Sequence, residues 1–213
     1  MTPTLHYIFD PLCGWCYGAG PALAALAAAP GITVSLQPSG LFSEAGARPM
    51  DDHFATYAWS NDQRIERLTG QPFSARYRDQ VLADRQQRFD SGPATLALTA
   101  VALTAPQREA DALKAIQQAR YVEGRDITDT GTLADLLGAL GLDDAAARLR
   151  EPDVALLTAN QQRVNQAQAM LRQAGAGGVP TFVLERNGQR QVLHSGTAFS
   201  DPQGFVAQLT ASR

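Results

Sequence analysis

The hydrophobic pattern changes period five times along the chain. From Leu5 to Phe9 the residues alternate and are rich in aromatic and β-branched types, which predicts a first strand, ended by Asp10-Pro11. From Tyr17 to Ala29 the chain is rich in Ala and Leu, with Pro21 near the start and Pro30-Gly31 at the end. That predicts one helix, kinked by Pro21, whose first turn contains Cys13-Gly14-Trp15-Cys16. Ile32 to Gln37 (ITVSLQ) alternates again and predicts a second strand, and a crossover of this size lets the two strands run parallel.

After Leu41-Phe42 the pattern turns helical. From about Pro49 to Gln173, Ala, Leu, Gln and Arg dominate, and breaks fall near Gly70-Gln71-Pro72, Asp90-Ser91-Gly92-Pro93, Ala105-Pro106, Gly124 to Asp129 and Glu151-Pro152. These delimit five or six helices. The spacing Thr130, Leu133, Leu136, Leu137, Leu140 and the spacing Val154, Leu157, Gln161, Val164 both have the helical period, which predicts a block with its own core. Strand pattern returns at Pro180 to Glu185 (PTFVLE), and Asn187-Gly188 joins it to Gln191 to His194 as a β-hairpin. Asp201 is placed to cap a last helix from Pro202 to about Leu209. The order is β-α-β, helices, then β-β-α. It predicts an α/β unit of residues 1–42 plus 174–213, interrupted by an all-helical insertion over 43–173.

Composition narrows the function classes. The 213 residues are 45% hydrophobic and 18% charged, and every apolar stretch is broken well before the roughly 18 residues a membrane span needs. A net charge of −3 argues against a nucleic-acid partner. Lys114 is the only lysine, which makes a lysine-based mechanism a poor expectation. Met1 to Tyr7 shows no basic segment followed by an apolar one, so the expected compartment is the cytoplasm.

The chemistry is concentrated in the cysteines. The chain has two, both within four positions, Cys13 and Cys16, which cannot make a disulfide framework. On a helix, positions i and i+3 share a face with Cβ atoms about 5–6 Å apart, close to the roughly 3.5–4.5 Å of a disulfide, so this pair can close with a small adjustment. A cysteine ahead of the first turn meets unpaired backbone N–H groups and the positive end of the helix dipole, which favour its thiolate. Cys13 has that place, so Cys13 is the expected nucleophile and Cys16 the resolving thiol. Zinc would need two further ligands, and His6, His53 and His194 are scattered, so no metal site is expected. Two unreactive core cysteines would be the plain alternative, against which stands their seat between a strand and a helix.

The residues Asp10-Pro11-Leu12, Cys13-Gly14-Trp15-Cys16-Tyr17-Gly18 and Gly178-Val179-Pro180-Thr181-Phe182 resemble the DsbA family of thioredoxin-fold disulfide oxidoreductases. More narrowly, they are similar to a cytosolic bacterial branch described as protein-disulfide isomerases. The likeness extends to Asp90-Ser91-Gly92-Pro93-Ala94 and Tyr121-Val122-Glu123-Gly124-Arg125-Asp126, and the family inserts a helical domain at this place. The resemblance implies a thioredoxin-like fold, with Pro180 as a cis-proline facing the disulfide and Val179 as the residue whose backbone pairs with an extended substrate. Taken alone, Pro180 would read as the first residue of a strand. The family often carries a buried acid about six residues before the first cysteine. Here Tyr7 stands at that spacing, and Asp10, the nearest carboxylate, is either a tuner of Cys16 or the former of an Asp-Pro turn. Trp15 either shields the site and holds substrate or packs on the insertion. His53 and Trp59, on the first helix of the insertion, are candidates to line the site, with surface and core roles as the plain alternatives. Ser91-Gly92-Pro93 reads as a helix start, and Asp51-Asp52 and Arg148/Arg150 as solvated helix faces.

The expected function is therefore a thiol–disulfide oxidoreductase or disulfide isomerase acting on protein or small-molecule disulfides. Its own dithiol is the redox group, no cofactor is needed, and glutathione is a candidate co-substrate. The alternative is a glutathione-dependent enzyme of the kappa transferase or hydroxychromene-carboxylate isomerase type. Those proteins are similar in fold but typically carry Ser in place of the first cysteine, and the retention of Cys13 and Cys16 counts against that reading. A third reading is a non-catalytic module that binds extended peptides at the Pro180 edge.

Overall fold

The computed structural model describes residues 2–211. Along the chain run β1 (Thr4–Phe9), α1 (Gly14–Gly18), α2 (Gly20–Ala28), β2 (Thr33–Pro38), β3 (Arg48–Pro49), α3 (Asp52–Thr69), β4 (Arg88–Phe89), α4 (Gly92–Thr104), α5 (Glu109–Tyr121), α6 (Thr130–Ala139), α7 (Asp143–Arg150), α8 (Val154–Gln173), β5 (Thr181–Arg186), β6 (Gln189–Leu193), α9 (Gly196–Ser200) and α10 (Pro202–Ala211). Four strands form one sheet in the order β2-β1-β5-β6. β1 is central, parallel to β2 and antiparallel to β5. The β5–β6 turn places Asn187 and Gly188 at φ 52° and 77°, the left-handed pair that a two-residue hairpin requires.

β1 is buried on both faces, so even His6, within its otherwise apolar and aromatic run, lies inside. Leu5, Tyr7 and Phe9 join Phe182 and Phe205 in the main core, while Ile8 and Val183 meet Ala167 and Met170 of α8 on the other face. The main core continues without a break into Ala97, Leu98, Val101, Leu133 and Leu149, so the helical block does not keep the separate core that its periodicity predicted. Within that block β3 and β4 also pair as a short ladder, and residues 77–82 form a π-helical turn.

Two helices differ in detail from the sequence pattern. The predicted helix over 17–29 is two helices meeting at Ala19, because Pro21 stands in the first turn of α2 and has no N–H to continue the ladder of α1. In α8 the expected stripe is displaced: Val154 and Leu157 are exposed at 79% and 50%, and Leu156, Val164, Ala167 and Met170 are buried. Asp153 caps this helix by accepting the Leu156 N–H at 2.6 Å, and the face turned to β1 and β5 takes the apolar side chains. Asp51 likewise is not merely a solvated charge, since it accepts the Phe54 N–H at 2.7 Å and caps α3. Asp201 caps α10 as predicted, accepting the Gly204 N–H at 2.9 Å.

Close packing of α1 on α3 fixes where the cysteines sit. A Cβ added at Gly18 would lie 2.7 Å from Ile65 Cγ2 and 3.2 Å from Thr69 Cγ2. Overpacking of this kind costs roughly 1–3 kcal/mol, which outweighs the roughly 1 kcal/mol that Gly→Ala contributes inside a helix. Gly18→Ala is therefore expected to lower the urea midpoint, with the slope of the unfolding transition unchanged.

Candidate active site

The strand-to-helix turn Asp10-Pro11-Leu12 delivers Cys13 to the N-cap of α1, where its backbone is extended (φ −84°, ψ 117°). The Cys13 sulfur accepts the Cys16 N–H at 3.3 Å, so it occupies the capping position where the helix presents unpaired donors. On its other side the Cys13 thiol donates to the Val179 carbonyl at 3.6 Å. Val179-Pro180 is a cis peptide, and both residues are half-buried just ahead of β5. The structure thus brings Cys13, Cys16, Val179 and Pro180 together across 166 residues of sequence. Both cysteines carry free thiols, Cys13 at 7% exposure and Cys16 at 1%.

Asp10 does more than start a turn. Its Oδ1 accepts the Leu12 N–H at 2.9 Å, the local turn bond. Its Oδ2 accepts the Phe42 N–H at 3.1 Å and the Ser91 hydroxyl at 2.7 Å. Ser91 does not use its side chain to cap α4, because the hydroxyl is committed to Asp10. Burial pushes the Asp10 carboxyl above its usual range, and the bonds from Ser91, Leu12 and Phe42 pull it back.

Cys16 faces inward. Burial pushes its thiol well above the usual range; the Cys13 sulfur adds to that push, and the Asp10 charge contributes a smaller one. Tyr7, at the spacing where the family often has an acid, donates its hydroxyl to the Cys16 carbonyl at 3.0 Å. Burial holds that phenol well above its usual range, so it stays neutral and offers no carboxylate beneath Cys16.

The remaining sequence candidates separate. Trp15 is half-buried, edge-on to Phe199 of α9 at 5.1 Å and with the Arg64 guanidinium 5.8 Å from its ring, so it packs across the α1–α3–α9 junction beside Cys16. His53 is exposed, and Trp59 packs 6.5 Å from Tyr77 with Arg78 over it. Among the described residues neither forms a hydrogen bond with Cys13 or Cys16. His6 Nε2 lies 3.3 Å from Glu185 Oε2, and among the described residues no group of three or more His, Cys, Asp or Glu side chains is placed to share a metal ion.

Sequence reasoning missed the layer that the helical block lays against α1. Tyr121 donates its hydroxyl to the Leu12 carbonyl at 2.8 Å and stacks on Tyr17 at 4.8 Å. Asp62, 4% exposed, stands against Gly14, where a Cβ would overlap its Oδ1. Its Oδ2 accepts the Tyr77 hydroxyl at 2.9 Å. Arg120 is 1% exposed, with its charge over the rings of Tyr77, Phe89 and Tyr121 at 5.4–5.7 Å. The available signal was an acid at helical spacing within the apolar positions of α3, Phe54, Ala58, Asp62, Ile65.

Comparison with known proteins places this geometry. The family model for a DSBA-like thioredoxin domain matches residues 4–203. The chain is similar to the cytosolic disulfide reductase DsbM from Pseudomonas aeruginosa, at 38% identity over 98% of this chain and 97% of that one, with a TM-score of 0.89. A structure of DsbM with GSH matches at 37% identity over 98% of each chain, with a TM-score of 0.83. A 2-hydroxychromene-2-carboxylate isomerase shares the fold at 17% identity, over 98% of each chain, with a TM-score of 0.58. No curated protein matches the chain.

The Asp10–Ser91 bond has a signed consequence. Because the folded carboxyl is held above its usual range, the folded state loses stability as pH rises from about 4 through the folded value, and the Ser91 hydroxyl limits that loss. Ser91→Ala is expected to destabilise the protein by roughly 1–3 kcal/mol at pH 7, and by less at pH 4, measured by urea denaturation.

Proposed function

The chain belongs to the family of DSBA-like thioredoxin domains, and from that premise we propose that it reduces or isomerises disulfides through the Cys13–Cys16 dithiol. The single observation that carries this reading is the asymmetry of the two sulfurs. Cys13 caps α1 and lies against the Val179 carbonyl, while Cys16 is buried behind it with its thiol held protonated. Cys13, as thiolate, attacks one sulfur of a substrate disulfide, forming a mixed disulfide and releasing the first substrate thiolate. Charge has then left Cys13, which removes one of the causes that held up the Cys16 proton. Cys16 loses that proton and attacks the Cys13 sulfur, releasing the second substrate thiol and closing the Cys13–Cys16 disulfide. The substrate gains two electrons and the dithiol loses two.

Val179 and Pro180 end the approach to Cys13 and present backbone for an extended substrate to pair with, and Trp15 flanks the entry. A cleft of about 520 Å³ between residues 39–46, α8 and residues 176–178 ends at Gly178, next to Val179. In this reading residues 1–42 plus 174–213 form the thioredoxin-like unit and 43–173 the insertion. Glutathione is the proposed co-substrate that returns electrons to the pair, supported by the GSH-bound structure of the Pseudomonas reductase. The proposed compartment is the cytoplasm, supported by the likeness to a cytosolic reductase. There the glutathione pool keeps the dithiol reduced, which favours the reductase or isomerase direction.

Cys13→Ser is expected to abolish turnover of a disulfide substrate, and Cys16→Ser to stop after one step and accumulate a stoichiometric mixed disulfide. Steady-state reduction assays with mass analysis of the intact protein read both outcomes. Full activity in Cys13→Ser would turn the account toward a non-catalytic peptide-binding module.

A further inference from the structure

The dipeptide between the cysteines has a charged neighbour that the reaction leaves unused. Gly14 is the first residue of α1, and a Cβ there would overlap Asp62 Oδ1 and stand 3.1 Å from Ile65 Cδ1. The carboxyl of α3 therefore sits directly against the backbone that separates Cys13 from Cys16. That place is also the N-terminal end of α1, whose positive potential a Cys13 thiolate and an Asp62 carboxylate must share.

The surroundings of Asp62 hold a second half of the arrangement. From residues 77–82, Tyr77 donates its hydroxyl to Asp62 Oδ2 at 2.9 Å, while Arg78 and Asp79 pair with each other at the surface. From α5 come Arg120 and Tyr121. Arg120 is almost fully buried, and its Nε and Nη2 have no hydrogen-bond partner among the described residues. From α1 and its cap come Cys13, Cys16 and Tyr17, and α9, with the sequence GTAFS, brings no ionisable group. The buried cation thus has the Asp62 carboxyl, bridged by Tyr77, as its nearby acid, and that acid rests on the dithiol turn.

Building on the oxidoreductase reading, we propose that Asp62 is a positioning residue of the exchange reaction: its carboxyl, held against Gly14 by the Tyr77 hydroxyl, makes the redox equilibrium of the Cys13–Cys16 pair proton-linked. Burial raises the Asp62 pKa to about 7, against the opposing pull of the Tyr77 hydroxyl and the Arg120 charge, so its charge changes in the neutral range. When Asp62 is neutral, negative charge on the reduced pair is unopposed. When Asp62 ionises, the reduced pair faces a second negative charge that the disulfide form does not, and oxidation of the pair is favoured. The protein becomes a stronger reductant as pH rises through this range. For two unit charges roughly 10 Å apart at an effective dielectric of about 20 the coupling is on the order of tenfold in the equilibrium. Asp62 acts from the insertion, in place of the acid that the family often has where Tyr7 stands.

The test measures the ratio of dithiol to disulfide in glutathione buffers from about pH 5.5 to 8.5 for the wild type, Asp62→Asn and Tyr77→Phe. Wild type and Asp62→Asn are expected to coincide at the acid end, and at the alkaline end the variant is expected to hold about tenfold more of the reduced form. A merely structural role would instead lower stability without separating the two curves with pH. Tyr77→Phe keeps the carboxyl and loses the hydroxyl that favours its ionised form, so its pH dependence is expected to persist with the midpoint moved upward. Wild-type and Asp62→Asn curves that run parallel overturn the inference and leave the oxidoreductase reading standing. Absence of dithiol–disulfide exchange in the wild type overturns both. If Asp62→Asn does not fold, an unshifted midpoint in Tyr77→Phe overturns the inference by itself.

Discussion

The buried carboxylate of Asp10 is the constraint on which the site depends. An acid with no exposure to water is tolerated only when its oxygens are satisfied, and here the donors come from three separate stretches of chain. Leu12 fixes the turn, Phe42 fixes the exit from the second strand, and Ser91 ties in the start of α4. Because these bonds converge on the residue that ends β1, the turn carrying Cys13 is held from the sheet and the helical block at once. Tyr121 repeats the device one step along, with its hydroxyl on the carbonyl of Leu12. Each bond is worth only about 1 kcal/mol net, yet loss of any one leaves a buried polar group unpaired, which is the larger cost.

That rigid turn lets one short helix treat two identical thiols differently. Cys13 stands outside the helical ladder and receives a backbone N–H, while Cys16, one turn on, lies against β1 with the Tyr7 hydroxyl on its carbonyl. In the proposed mechanism, position alone makes the first the nucleophile, while burial keeps the second a protonated reserve. The cis Val179-Pro180 segment completes the site from the far end of the sequence, and its carbonyl is the nearest acceptor to Cys13 outside the turn. The helical block is therefore part of the chemistry's support and not an appendage, since its core runs into that of the sheet.

Much of this was legible in the sequence, for identifiable reasons. Period-two runs, Asn187-Gly188, Asp201 and the Gly/Pro breaks are local signals, and the corresponding strands, hairpin, cap and helix ends are where they predict. The C-x-x-C and Val-Pro-Thr motifs gave the two halves of the site. What escaped were non-local decisions. The break at Ala19 depends on a single missing N–H at Pro21, and the buried stripe of α8 was misplaced because Val154 and Leu157 are apolar yet face water. Ser91 read as a helix start, which it is, but its hydroxyl serves a residue 81 positions away. Asp62 stands at helical spacing with Phe54, Ala58 and Ile65, but the Gly14 it packs against is 48 positions away, which no local pattern carries.

The most direct test of the account is to mix the reduced protein rapidly with oxidised glutathione, quench with acid at short times and locate the modification by peptide mass analysis. The account predicts that glutathione appears first on Cys13 and then disappears as the Cys13–Cys16 disulfide forms with loss of two hydrogens. A first adduct on Cys16, or two thiols that remain free, would contradict it.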